Sequence, residues 1–264
     1  MGTARMPAAF ISHGAARETI EHTAHTDQWA AFGRRLPRPR AIVVVSAHWY
    51  IQATAATAMV RPRTIHDFFY PPGHELYDFQ YPAPGDPELA GHLRDVLKPH
   101  WVGLDVDSWG LDHGAYSILA HAFPDADVPV VQLSVHASAD PRYHLAVGAA
   151  LDPLRDEGVL VLASGTLVHN PRATDDTARS SGTYDLAAGF VAAVGQQLAA
   201  DPAAAVGLDG HPGYPLCAPT PDHYLPLLYL AGLAAASGDA VTPPFDDPIG
   251  GIGPCSFAVG LTSS

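Results

Sequence analysis

Four short apolar runs, each leading to a histidine, constrain this chain more than any other feature. The longest is Ala41-Ile42-Val43-Val44-Val45-Ser46-Ala47-His48-Trp49. It is too short for a membrane span and too rich in valine for a favourable helix, so it reads as a strand buried on both faces. The others are Ala8 to Ser12 before His13, Val128 to Val135 before His136, and Val159 to Ala163 a few residues before His169. As parallel strands they gather their histidines on one rim, at the carboxyl ends where open α/β sheets bind ligands.

Composition narrows the class. With 264 residues, 47% of them hydrophobic, the chain suits one large α/β domain over residues 1–264. Its expected fold is a mostly parallel central sheet flanked by helices, with a site at the carboxyl-end rim. A formal charge of −13, with only 14 scattered Lys and Arg, argues against nucleic acid and acidic lipid as partners. Cys217 and Cys255 read as two isolated buried thiols in a reducing, cytoplasmic compartment. Residues 1–7 lack the pattern of a signal peptide, and the most apolar helical stretch, Leu225 to Ala236, is short of the ~20 residues a membrane span needs. A cytoplasmic protein without a membrane partner is the expectation. Internal repeats are absent from the sequence.

The helices predicted by apolar spacing cover Glu18 to Leu36, Pro87 to Leu97, Tyr116 to Phe123, Tyr143 to Arg155 and Asp185 to Leu198. A further helix follows Pro219, with Thr220 as its cap and Pro221 at its first position, which puts His223 in the first turn. Thr57 to Pro87 is dense in proline and aromatics and reads as a long irregular loop, either a wall over a substrate or a segment packed by its own rings. The tail from Gly250 to Leu261 closes with an edge strand.

Fifteen histidines are present. His22, His25, His92, His100, His121 and His144 fall on presumed helix surfaces or element ends and read as incidental. His136 ends a strand but lacks distinctive neighbours. His13, His48, His113, His169 and His223 follow strands or open helices amid small residues and prolines. Singly, each reads as a structural histidine; as a set they favour a divalent metal site, since neutral imidazoles bind Zn, Fe(II), Cu or Ni. No HExxH, CxxC or Walker motif occurs, which disfavours zincins, zinc fingers and P-loop enzymes.

The same residues carry a resemblance. Met6-Pro7-Ala8-Ala9-Phe10-Ile11-Ser12-His13-Gly14, Pro37 to Trp49, Trp109-Gly110-Leu111-Asp112-His113-Gly114, Ala163 to Asn170 and Pro219-Thr220-Pro221-Asp222-His223-Tyr224-Leu225-Pro226 resemble the motifs of class III extradiol ring-cleavage dioxygenases. More narrowly they resemble the LigB-type branch that includes DOPA 4,5-dioxygenases, in family order over nearly the whole chain. The resemblance implies that His13, His48 and His223 hold one divalent metal, with His169 beside it as a further ligand or an acid/base, and that His113 lines the substrate pocket. Fe(II) is the implied catalytic metal, and Zn(II) can fill the same site. Relatives acting on protocatechuate use two histidines and a glutamate, whereas His223 stands in the corresponding motif here. Where the family often has Ser-Pro after the first His-Gly, this chain has Ala15-Ala16-Arg17.

These parts imply an extradiol dioxygenase that opens a catechol ring, DOPA-like or another catechol acid, with O₂ to a semialdehyde. In that reading His169 takes a phenolic proton and His113 serves as an acid toward the reduced oxygen. Asp67 with His66, and Tyr224, are candidates to orient the imidazoles. Arg17 reads either as a clamp for a substrate carboxylate or as a solvated charge at a helix end. The rivals are a zinc-dependent hydrolase of an amide or ester and a metal-binding protein without catalysis; the oligomeric state is left open.

Overall fold

Alternation within the strands decides the layering. The computed structural model describes residues 5–173, 182–245 and 255–261. In β2 (Ala41–Ile51), Val43 and Val45 enter one apolar cluster while Ile42 and Val44 enter another. The same split holds in β1 (Ala8–Ser12), where Phe10 opposes Ile11, and in β6 (Val159–Gly165), where Val161 opposes Leu162. A strand apolar at every position thus serves two cores at once. Each fully buried Val, Ile, Leu or Phe contributes about 1.5–3 kcal/mol.

The sheet adds β3 (Ala55–Thr57), β4 (Gly103–Asp105), β5 (Val130–His136), β7 (Val241–Thr242) and β8 (Phe257–Val259), in the order β4-β3-β5-β2-β6-β1-β8-β7. Its centre, β5-β2-β6-β1, is parallel, with β3 and β8 antiparallel to their inner neighbours. β8 lies between β1 and β7, so the last strand is interior to the sheet and not an edge. Between the Val45↔Leu133 and Tyr50↔Val135 pairs, β2 takes five residue steps to two in β5. The surplus is a bulge, and His48 sits within it; β2 runs on to Ile51 instead of stopping at the histidine.

One face is covered by α1 (Ala24–Arg35) and α3 (His113–Ala122). The other is covered by α2 (Pro87–Val96), α4 (Pro141–Leu151), α5 (Thr183–Ala200) and α6 (Leu225–Ser237). Two helix starts differ from expectation. Residues 16–19 form a 3-10 turn and α1 begins only at Ala24, because Thr23 and Thr26 close a reciprocal capping box there. α6 begins at Leu225, so it is Pro226 that occupies the first turn, where no backbone donor is needed. His223 lies in the preceding turn, in which the Tyr224 and Leu225 amides both donate to the Pro221 carbonyl. The helix expected to run to Arg155 ends at Leu151 and passes into a 3-10 segment. Cys217 and Cys255 are buried, with no disulfide among the described residues. Nor is any described helix long and apolar enough to cross a membrane.

α4 and α6 meet closely at Gly232, where a side-chain carbon would lie 1.9 Å from the Leu145 carbonyl oxygen. His144 is sealed into this contact at 0% exposure, its Nδ1 3.1 Å from the Tyr229 hydroxyl and its Nε2 without a partner. Burial lowers its pKa from the ordinary 6.5 to about 4. The unfolded chain binds this proton near 6.5 and the folded chain only near 4, so the unfolded state is favoured progressively as pH falls through that window. His144 should therefore remove up to about 3 kcal/mol of stability between those values. Urea midpoints at pH 7 and pH 4.5 are expected to differ less in His144→Gln than in the wild type.

Candidate metal centre

Five histidines from distant parts of the chain converge beyond the carboxyl ends of the central strands. His13 directly follows β1, its amide donating to the Gly165 carbonyl at 3.0 Å. His113 is the first residue of α3, behind the cap Asp112. The His169 amide donates to Cys217 O, and the His223 carbonyl accepts from the Thr166 amide, which ties the turn before α6 to the end of β6. His48 needs both its bulge and Gly114, for a side-chain carbon at position 114 would lie 2.7 Å from His48 Cδ2.

Ring separations distinguish among the five. The His13, His48 and His223 centroids form a nearly equilateral triangle, 5.0, 5.1 and 5.0 Å on its sides. Imidazoles bound end-on at about 2.1 Å to one tetrahedral ion have centroids about 5 Å apart. The Nε2 atoms of His13 and His48 are 3.1 Å apart, as two ligands of one ion would be. His169, in contrast, stacks on His223 at 3.5 Å and 17°. Nearly parallel rings at that spacing do not direct their lone pairs at a common point. His113 is 3.9 Å from His48 and 6.0 Å from His13, outside the triangle by its ring position. By ligand-atom distance alone, two groups qualify: His13 with His48 and His113, and His169 with Asp222 and His223.

Each ring of the triangle is held at Nδ1. His13 Nδ1 is 2.9 Å from Ser164 Oγ, whose own hydrogen is donated to the Gly114 carbonyl. Ser164 therefore accepts from His13, leaving its Nε2 bare. His48 Nδ1 lies 2.9 Å from Asp67 Oδ2, and His223 Nδ1 lies 2.6 Å from Asp222 Oδ2. Asp67 also takes His113 through its other oxygen, at 2.9 Å from Nδ1 and 3.0 Å from the amide. Carboxylates and hydroxyls on the far nitrogen fix the tautomer of metal-binding histidines in this manner. His13 and His223, bonded at Nδ1, keep Nε2 free for a metal, and a set of imidazoles backed by a hydroxyl and carboxylates fits a divalent ion.

The electrostatics agree. Burial, then the neighbouring imidazoles led by His48, hold His13 well below its ordinary pKa. Burial likewise takes His223 to about 4 against the pull of Asp222. Both rings are thus neutral near pH 7, as metal ligation requires. His48 moves the other way, because its contact with Asp67 and the charge of Asp112 outweigh burial. Burial would raise Asp67 and Asp222, but their imidazole partners hold both well below the carboxylate range. Asp112 is raised by burial while it caps α3 and accepts from Ser46 at 2.7 Å, beneath the His48 backbone.

A cavity of about 830 Å³ opens beside the five rings and is lined further by Gly14, Ala15, Arg17, Glu18, Ala24, His25, Gln28, Thr166 and Val168. The loop over residues 57–87 does not form its wall. That loop reaches the centre from behind, through Asp67 and through Phe68, whose ring is 5.9 Å from His113. Two expected positioning residues are elsewhere: His66 bonds the Phe79 carbonyl, and the Tyr224 hydroxyl donates to Ala205 O. His136 faces Tyr143. The sequence reading missed Glu18, His25 and Gln28 in the cavity, and Ser164 and Asp222 behind the rings. Only Asp222, adjacent to His223, carried a local signal.

Residues 7–243 match the family described as the catalytic LigB subunit of aromatic ring-opening dioxygenase. The chain is 45% identical over 236 residues to a 4,5-DOPA dioxygenase extradiol of Escherichia coli (strain K12), covering 88% of this chain and 86% of that one. It is 35% identical over 238 residues to a 4,5-DOPA dioxygenase extradiol of Beta vulgaris, covering 88% of each. A crystal structure of an uncharacterised protein from Escherichia coli K12 matches with a TM-score of 0.75 at 36% identity, over 97% of this chain and 100% of that one.

In the metal-free protein, His13 and His223 are expected as neutral Nδ1–H tautomers at pH 7, with His223 titrating near pH 4. Long-range proton–nitrogen NMR reads both. Because Asp222 raises the His223 pKa, Asp222→Asn should shift that titration further down, and a shift upward would contradict the geometry.

Proposed function

The chain belongs to the LigB family and is an extradiol ring-cleavage dioxygenase; from this we propose that it binds one divalent metal, Fe(II) for activity, and opens a DOPA-like or related catechol acid to a semialdehyde. The equal spacing of the three rings anchored at Nδ1 is the observation that carries the metal assignment. His13, His48 and His223 are its ligands in this reading. We assign His169 beside the metal and not on it, since its stacking against His223 leaves no shared direction for the two lone pairs. The E. coli and Beta vulgaris relatives, named for DOPA, support a catechol amino acid as substrate. The buried thiols Cys217 and Cys255 suit a reducing compartment, the cytoplasm.

A bound divalent ion would supply Lewis acidity to a pair of vicinal hydroxyls and, as Fe(II), a redox path by which the catechol's own electrons would reach O₂. The chain's own groups do the rest. His169 is the exposed ring of the five, with its pKa lowered by burial of part of its surface. It is neutral near pH 7 and ready to take a phenolic proton at a ring nitrogen. His113 gives Nδ1 to Asp67, so Nε2 is the ring atom left to exchange protons with a bound ligand, passing on a proton only after it has first taken one up. Asp67 hydrogen-bonds His113 through one oxygen and lies 2.9 Å from His48 Nδ1 through the other, so one carboxylate neighbours both a ligand and an acid. Phe68 packs its ring against His113 from behind, and Val168 adds apolar surface to the cavity wall.

Anaerobic reconstitution with Fe(II) or Zn(II), followed by air and a panel of catechols, tests the reading through oxygen uptake and a yellow product. Ring opening is expected with Fe(II) alone. Oxygen-independent turnover of esters or amides with Zn(II) would overturn it in favour of a hydrolase. His48→Ala is expected to lose the metal, whereas His113→Ala keeps it and loses about 10²–10⁴-fold in turnover. Full metal occupancy in His48→Ala, read by atomic absorption, would remove His48 from the ligand set. Asp67→Asn is expected to weaken metal affinity or activity by about 10–100-fold.

A further inference from the structure

Beyond the histidines, the cavity wall holds a negative charge with no permanent cation to answer it. Glu18 lies in the 3-10 turn Ala16–Thr19 and lines the cavity beside His25 and Gln28. Its side chain is 16% exposed, and its one ion-pair contact among the described residues is His25 Nδ1, 3.2 Å from Oε1. Oε2 turns toward Gly14 and fills the space where a side chain at that position would begin, 1.6 Å from the would-be carbon. The charge is thus placed beside the residue that follows His13. Its backbone is fixed, for the Glu18 amide donates to Ala15 O at 2.9 Å and His121 Nε2 lies 2.7 Å from the Glu18 carbonyl oxygen.

Arg17, the neighbouring cation, does not answer this carboxylate. It is 63% exposed and pairs with Glu21 at 3.3 Å, so it is a solvated rim charge. A mostly buried carboxylate is stabilised by a cation or by several donors, and here one oxygen has a single imidazole while the other lies against Gly14, itself part of the cavity wall. A ligand that brings its own cation supplies the missing partner, in a site where low dielectric strengthens the pairing.

Resting on the catechol-cleavage reading above, we infer that Glu18 is a specificity residue that binds an ammonium group on the substrate's side chain. The enzyme thereby prefers catechols with an aliphatic amine or amino-acid tail to those whose tail carries a carboxylate alone. His25 is its positioning partner, holding Oε1 so that Oε2 stays presented.

Calorimetric titration of the full chain as purified, with three catechols of similar size, tests this. They are 2-(3,4-dihydroxyphenyl)ethylamine, uncharged 4-ethylcatechol and 3-(3,4-dihydroxyphenyl)propanoate. The amine is expected to bind at least tenfold tighter than the uncharged compound, and the carboxylate more weakly than either. Glu18→Gln should erase the amine's advantage. If that variant fails to fold, Glu18→Asp, which keeps the charge but withdraws it by one methylene, must reduce it. Affinities indifferent to tail charge, no binding of the amine, or a preference that survives in folded Glu18→Gln would overturn the inference. Oxygen uptake with Fe(II), run in parallel, separates the two readings. Charge-graded binding without ring opening defeats the catalytic proposal alone, and ring opening with charge-blind binding defeats the Glu18 assignment alone.

Discussion

The rings of His13, His48 and His223 converge because each is gripped from behind. Ser164 and Asp222 hydrogen-bond the Nδ1 atoms of His13 and His223, and Asp67 lies 2.9 Å from that of His48. The gripping groups are themselves gripped: Ser164 through the Gly114 carbonyl, and Asp67 through the His113 amide at the start of α3. Positioning thus reaches outward in hydrogen bonds until it meets backbone that belongs to regular structure.

Bringing such rings together demands local irregularity in an otherwise regular sheet. β2 is buried through its first seven residues, yet it breaks register with β5 just where His48 must leave the plane. The absence of a side chain at Gly114 admits that ring over the first turn of α3. The parallel core supplies rigidity and a common rim, while the bulge supplies direction.

The sequence made the core legible because β1, β2 and β6 open on runs of consecutive apolar residues, a pattern with few folded solutions. Histidines that close such runs are legible for the same reason: chain direction delivers them to one edge. Helix boundaries were less so, since α1 starts where Thr23 and Thr26 cap each other and not where the apolar spacing begins. His25, Glu18 and Gln28 escaped because nothing local distinguishes a helix face that borders a cavity from one that borders solvent. His66 and Asp67 are adjacent, yet only Asp67 reaches the centre. In an irregular segment, neighbours share no direction, so proximity in sequence says little about which side chain arrives. Tyr224 is the same lesson beside His223: the turn before α6 sends one ring to the cluster and the other toward Ala205.

The three triangle rings come from residues 13, 48 and 223, so the centre ties the first strand to a turn near the start of the last long helix. An ion coordinated there would cross-link residues 13 and 223 and so close a loop of most of the polypeptide, while the cavity beside the rings leaves it a path to solvent. Parting β1 from that turn would then cost the coordination bonds as well as the contacts around them, so the free energy of binding the ion would add to the stability of the whole fold.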